Sequence, residues 1–370
     1  MRLCYVANPR SIHVQRWVRY FADRGHEIHL INARPTPAPE LPGVTLHQAR
    51  VPRIPRLRNL ALGIAIRRLV RRIRPDVLHA HQVSPDGWLA AVSCFHPLLI
   101  TAWGSDLFLG PSVGRRFTLL IRWALRSADF VSCVSESLAQ VARSLGADPA
   151  RLEVAPWGID TAVFCPAAGS TALRARLGLG PGPVVLSPRA IRPVYNPLDI
   201  AQAVPRVLEQ VPDAQFVIRT YTLDPGLLAR FQAIIEAHNA TEAVRYVGDL
   251  PDDEAIADLY RIADVAVSVP SSDGAPLSVL EAMACGAVPV LSELPSLREW
   301  VQDRREALFV PVGDVAAIAD AIVRLLHHEP LRREMRANGL ELIRQRADSR
   351  VWMAHAERTY ERLCRSRSAS

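Results

Sequence analysis

Short apolar runs alternate along the chain with stretches in which apolar positions recur every three or four residues, a pattern that predicts βαβ units around a parallel sheet. In the first half, strands are expected near 2–6, 28–32, 77–80, 98–101, 130–134 and 152–155. Between the first two, Val14 to Phe21 read as an amphipathic helix that ends at Arg24-Gly25. A Pro/Gly-rich break over 165–183 is followed by a second series, with strands near 184–187, 215–219, 244–247, 265–269, 288–291 and 307–310. Helices are expected between them, at 198–210, 225–238, 253–262, 276–285, 294–302 and 314–328. The expected division is therefore an α/β domain over 1–165, a second over 166–345 and a charged helical tail over 346–370. Trp352 and Tyr360 are candidate anchors holding the tail outside the second core, with a return to the first left open. Doubly wound domains bind ligands at the carboxyl ends of their strands, and a two-domain enzyme of this kind is expected to work in the cleft between them.

Composition adds one unusual fact: the 44 basic residues are all arginine, so any cationic role falls to a guanidinium or a histidine. Charge is uneven. Residues 1–170 hold 21 Arg against 11 acids, and residues 171–370 hold 23 against 26. A basic first half suggests an anionic partner, or simply a solvated arginine-rich face. Within it, residues 56–74 can form a helix with Leu57, Leu60, Ala61, Ile64, Val70 and Ile73 on one side and arginines opposite. Such a helix can pack on the core and also touch an anionic membrane. Nucleic acid is not expected, because no aromatic-interleaved basic groove or recognition module is present. Six cysteines without CxxC spacing read as free thiols in a reducing compartment. With no signal-peptide pattern and no long apolar run, the expected location is cytoplasmic, with peripheral contact at the inner membrane face as a candidate.

The stretch that carries chemistry is Ser271-Ser272-Asp273-Gly274-Ala275-Pro276-Leu277-Ser278-Val279-Leu280-Glu281-Ala282-Met283-Ala284-Cys285-Gly286. A strand leads through a glycine turn into a short helix, with Pro276 suited to its first position and Gly286 to the residue past its end. Free N–H groups around Gly274, Ala275, Pro276 and Leu277 and the positive end of the helix dipole suit an anion. Asp273 and Glu281, eight positions apart, would reach different parts of an extended ligand.

This stretch resembles the E-x7-E element of retaining glycosyltransferases with the GT-B fold, in particular glycosyltransferase family 4. Asp273 stands where that family has its first Glu. Other segments resemble it in order and spacing: His79-Ala80-His81, Pro85-Asp86-Gly87, Thr101-Ala102-Trp103-Gly104-Ser105-Asp106, Val134-Ser135-Glu136-Ser137 and Pro156-Trp157-Gly158-Ile159-Asp160. The resemblance implies two Rossmann-like doubly wound domains facing each other across a cleft. It places Asp273 and the following amides at the donor sugar, Glu281 at the ribose and Arg189 at the pyrophosphate. His81 would face the donor sugar or the acceptor. Gly104, Asp106 and Ser11 fall on the acceptor side. The family lysine that follows Arg189 is replaced by Val194, with Arg192 as the candidate substitute. The first βα turn, Ala7 to His13, lacks the family's glycines and offers Asn8, Ser11 and His13 instead.

The expected activity is retaining transfer of a sugar from a nucleotide-diphosphate sugar to a saccharide or lipid-linked acceptor, in cell-surface polysaccharide or glycolipid synthesis. No metal or other cofactor is expected: His79-Ala80-His81 has no acidic companion, and the fold family needs no metal. Two alternatives stay open. One is a sugar-nucleotide epimerase or hydrolase of the same fold. The other is a non-catalytic subunit that binds lipid or a partner.

Overall fold

Residues 1–35, 39–50 and 58–368 are described in a computed structural model, and within them the apolar runs form two parallel sheets. The first sheet holds β1 (Arg2–Val6), β2 (Glu27–Asn32), β3 (Val44–Gln48), β4 (Val77–His81), β5 (Leu98–Ala102), β6 (Phe130–Cys133) and β7 (Leu152–Val154), in the order β3-β2-β1-β4-β5-β6-β7. The second holds β8 (Val184–Ser187), β9 (Gln215–Arg219), β10 (Val244–Val247), β11 (Val265–Ser268), β12 (Val288–Ser292) and β13 (Leu308–Val310), in the order β10-β9-β8-β11-β12-β13. Strand order reverses between β1 and β4 and again between β8 and β11. These switch points open a crevice at the carboxyl end of each sheet.

The central strands are buried on both faces and read as continuous apolar runs, which is why they were legible. β3 was not expected. Its residues Val-Thr-Leu-His-Gln are only half-buried or exposed, and it pairs with β2 alone at the sheet edge.

The chain divides into two units, Met1–Trp157 with Val351–Ser370, and Gly158–Arg350. The division falls upstream of the expected boundary at 165. Residues 158–165 join the second unit: Ile159 N–H donates to the Ala347 carbonyl (2.7 Å), Ser349 N–H to Ile159 (2.8 Å), and Arg261 holds the Val163 and Cys165 carbonyls. Gly158 has φ +68°, and a Cβ there would lie 2.5 Å from the Ala347 carbonyl oxygen, so only glycine fits this approach.

The last helix, Ser349–Ser368, packs on the first unit, not outside the second core. Tyr360 is its fully buried anchor. The hydroxyl accepts from Trp17 Nε1 (3.0 Å), pairs with His79 Nδ1 (2.7 Å) and lies 3.3 Å from the Tyr5 hydroxyl. His355 meets Glu153 at 3.0 Å.

The helix Arg58–Ile73 buries the expected Val70 and Ile73, but its first half presents a different face from the expected one. Leu62, Ile66, Val70 and Ile73 are buried, whereas Leu60 and Ile64 are exposed; Leu57 and Arg56 lie outside the described residues. Gly63 sets this orientation, since a Cβ on it would meet Val92 at 2.6 Å. Among the described residues, no helix is long and apolar enough to cross a membrane.

Candidate active site

In the second unit, the switch point between β8 and β11 gathers the predicted donor residues. Arg189 follows β8, and the turn 269–276 follows β11 and leads into the helix Leu277–Ala284. Side chains pin that turn: Asn196 Nδ2 donates to the Val269 carbonyl (2.9 Å), Ser292 to Pro270 (2.6 Å) and Ser296 to Asp273 (2.6 Å). The helix begins one residue later than expected, with Pro276 as its cap at φ −87°, ψ 55°. At its other end, Gly286 (φ +102°) donates to Met283 and Ala287 to Ala282, a Schellman closure that the glycine permits.

Helix geometry also narrows the set of free amides. Pro276 has no N–H, and Leu277 donates to the Ala275 carbonyl at 3.0 Å. Of the four expected positions, Gly274 and Ala275 keep amides with no acceptor among the described residues.

Arg189 and Asp273 are brought together. Arg189 Nη2 lies 2.9 Å from Asp273 Oδ2, close but not aligned as a hydrogen bond, and Nη1 donates to Ser278 Oγ at 3.1 Å. The guanidinium stacks over the Tyr195 ring at 4.2 Å. Burial opposes its charge, but Asp273 and the neighbouring Tyr195 and Tyr221 hold its pKa above the ordinary arginine value. Glu281 is 4% exposed and so does not face solvent; it lies on the buried side of the helix. Arg192 is exposed at the entry of the single turn Pro193–Tyr195. Val194, at the family's lysine position, offers only its carbonyl, which accepts from Ser271 N and Oγ.

In the first unit, the switch point between β1 and β4 holds His81, Ser11 and the loop that carries Asp106. His81 is 1% exposed and ringed by Tyr5, Trp17, Trp103 and Trp157 at centroid distances of 5.2–5.8 Å. Neither ring nitrogen has a hydrogen-bond partner among the described residues. Burial, with a smaller contribution from His13, lowers its pKa to about 3, so the ring is neutral. At this exposure, the expected contact with a sugar requires the indoles over the ring to move.

The Asp106 carboxylate is turned inward, accepting from the amides of Val83 (2.7 Å), Trp103 (3.1 Å) and Gly104 (2.8 Å). It joins the loops after β4 and β5. Burial raises its pKa, and the three amides oppose that shift. Gly104, at φ +139°, is the residue that lets the chain turn onto the carboxylate. Ser11 starts the helix Ile12–Asp23 without a side-chain cap bond.

Two residues were given no role in the sequence, although Asp86 lies in the Pro85-Asp86-Gly87 segment that resembles the family. Asp86 is a buried carboxylate gripped by both Nη atoms of Arg34 (3.1 and 3.0 Å), with its pKa pushed by burial to about 6 against the pull of Arg34. Arg219 is a buried cation at the end of β9. Arg219 does not stand out in an arginine-rich chain, because the sequence does not show which arginines are buried. Among the described residues, no group of three or more His, Cys, Asp or Glu is placed to hold a metal ion.

Known proteins resemble both halves of the chain. Residues 2–135 match the family described as glycosyl transferase 4-like, and residues 170–342 match glycosyl transferases group 1. The chain is 25% identical over 362 residues to N-acetyl-alpha-D-glucosaminyl L-malate synthase of Bacillus anthracis, covering 92% of this chain and 91% of that one. It is 34% identical over 171 residues to the phosphatidyl-myo-inositol mannosyltransferase of Mycobacterium leprae, covering 46% of this chain and less than half, 43%, of that protein. Anabaena HepE, solved in complex with UDP and glucose, superposes with a TM-score of 0.83 at 16% identity, over 98% of this chain and all of that one. With both halves matched in order and the two parallel sheets shared with the solved glycosyltransferase structures, the chain belongs to the group 1 glycosyltransferases and has the GT-B fold.

Proposed function

We propose that this glycosyltransferase takes its sugar from a nucleotide-diphosphate donor bound at the β8/β11 switch point and transfers it with retention to a saccharide or lipid-linked hydroxyl. The observation that supports this most is the Arg189–Asp273 contact beside buried Glu281, on a turn whose Gly274 and Ala275 amides are unspent. Arg189 and the two amides would stabilise charge building on the leaving diphosphate. Glu281 would fix the nucleoside ribose, and Asp273 would orient both Arg189 and the donor sugar. Acceptor recognition is assigned to the first unit, around His81, Ser11 and the Gly104 loop. There Asp106 acts through the backbone it holds. HepE was solved with UDP, and the mycobacterial relative is named for a lipid-linked inositol, which fits both substrate classes.

The surface proposed for peripheral membrane contact is the helix Arg115–Ser127 together with the turn before it. Leu119, Leu120 and Trp123 are exposed there, with Val113 and Leu109, among exposed Arg115, Arg116, Arg122 and Arg126 and no acid within the helix. Exposed apolar side chains among arginines suit an anionic lipid surface.

The donor reading is tested by a thermal-shift panel of UDP, GDP and ADP, repeated with Glu281→Ala. A melting-temperature rise with one nucleotide, lost in the variant, is the expected result. No rise with any nucleotide rejects the donor assignment and favours a non-catalytic subunit.

A further inference from the structure

β9 ends on Arg219, a residue only 4% exposed. Its Nε is buried without a hydrogen-bond acceptor, and among the ion pairs of the described residues, such as Arg189–Asp273 and Arg261–Asp258, none involves Arg219. Its neighbour is the Tyr221 ring, 4.9 Å from Cζ. An arginine does not escape this situation by losing its proton. A buried cation without a counter-ion is costly, and proteins retain such groups where something else supplies the opposite charge.

Arg219 and Arg189 occupy the same corner of the second sheet. The β8/β9 register sets Ile218 beside Ser187, so Arg219 stands beside Pro188, the residue before Arg189. Tyr221 bridges the two: its hydroxyl lies 3.5 Å from the Pro188 carbonyl, which it can reach as a donor, while its ring faces Arg219. Burial raises the Tyr221 pKa, with Arg189 and Arg219 opposing and Glu281 adding, so all three charges act at one phenol.

The two arginines differ in compensation. Arg189 is matched by Asp273, and Arg219 is matched by no acid among the described residues. Arg192, the substitute expected from sequence, is exposed to solvent, where screening weakens its hold on an anion. We propose that Arg219 binds the diphosphate of the donor nucleotide and provides the second cation that Val194 does not. This rests on the donor-site reading above.

The test is calorimetric titration of the full chain with inorganic pyrophosphate, with UDP, GDP and ADP, and with the matching nucleosides. Wild type is compared with Arg219→Met, Arg219→Lys and Arg192→Met. The expected result is that Arg219→Met weakens pyrophosphate and nucleoside diphosphate binding at least tenfold and leaves nucleoside binding unchanged. Arg219→Lys should restore part of the loss, and Arg192→Met should change binding less than threefold. The melting temperature of ligand-free Arg219→Met should equal or exceed that of wild type, because a buried uncompensated charge is gone; a purely structural arginine would lower it. Unchanged diphosphate affinity in Arg219→Met, or a loss confined to Arg192→Met, overturns the inference. If wild type binds pyrophosphate through Arg219 but no nucleotide, the donor reading fails and the anion site stands. If wild type binds neither, both fail.

Discussion

The indole of Trp17 donates to the hydroxyl of Tyr360 across 3.0 Å, tying the first helix of the chain to the last. That hydroxyl also serves His79 at 2.7 Å, and both side chains are buried. Tyr360→Phe keeps the ring and strands both partners. Each buried polar group left unpaired costs roughly 1–3 kcal/mol, so the two together cost roughly 2–6 kcal/mol. Urea unfolding followed by tryptophan fluorescence should show a loss in that range, with the slope of the transition unchanged.

Buried His79 and His81 make the first unit sensitive to acid. Burial lowers both pKa values, His81 to about 3 and His79 well below its ordinary range with His81 contributing. Between the unfolded value near 6.5 and the folded one, the unfolded chain binds protons that the native state does not. Stability from these groups is therefore full above about pH 6.5 and is lost as pH falls. Asp86 and Asp106 act in the opposite sense, since burial raises both. A difference measurement isolates His81. Relative to wild type, His81→Phe should gain up to about 1.4 kcal/mol per pH unit between pH 6 and 4. A parallel pair of stability curves would reject this.

Asp106→Asn should cost stability before it touches chemistry. The carboxylate receives three amides, and an amide side chain can replace only part of that while placing its own NH2 against a donor. The expected loss is about 1.5–3 kcal/mol, read by denaturation.

Asp273→Asn should leave Arg189 buried without its acid, a change that costs roughly 3–5 kcal/mol when a buried pair is broken. An added anion can restore the balance. Pyrophosphate should therefore raise the melting temperature of the variant more than that of wild type.

Membrane contact, if it uses the helix Arg115–Ser127, should respond to single charges. Trp123→Asp or Leu119→Asp should reduce co-sedimentation with phosphatidylserine-containing vesicles, and Arg116→Gln should remove about 1 kcal/mol of binding at low salt. Neither change is expected to alter nucleotide binding.

Much of this architecture was legible because its signals are local. Continuous apolar runs marked β1, β4, β8 and β11, and the strand-turn-helix around Asp273 announced itself by residue type and spacing. What was missed depends on partners far away in the chain. β3 is held by β2 at an edge and so keeps its polar residues. The outward turn of Leu60 and Ile64 follows from Gly63 against Val92. Arg219 looks like any of 44 arginines until its burial and its lack of an acid partner are known. The tail helix carried an anchor in Tyr360, but only the hydroxyl's three neighbours show which core it completes.

Most of the first unit precedes the second in the chain, yet it closes around a residue from the helix that follows the second. At roughly 5–20 residues per second of translation, Trp17 and His79 emerge ten seconds or more before Tyr360. Throughout that interval the nascent first unit lacks one wall of its core, while the second unit, which is uninterrupted in the chain, can complete itself. Order of birth and order of completion are thus reversed.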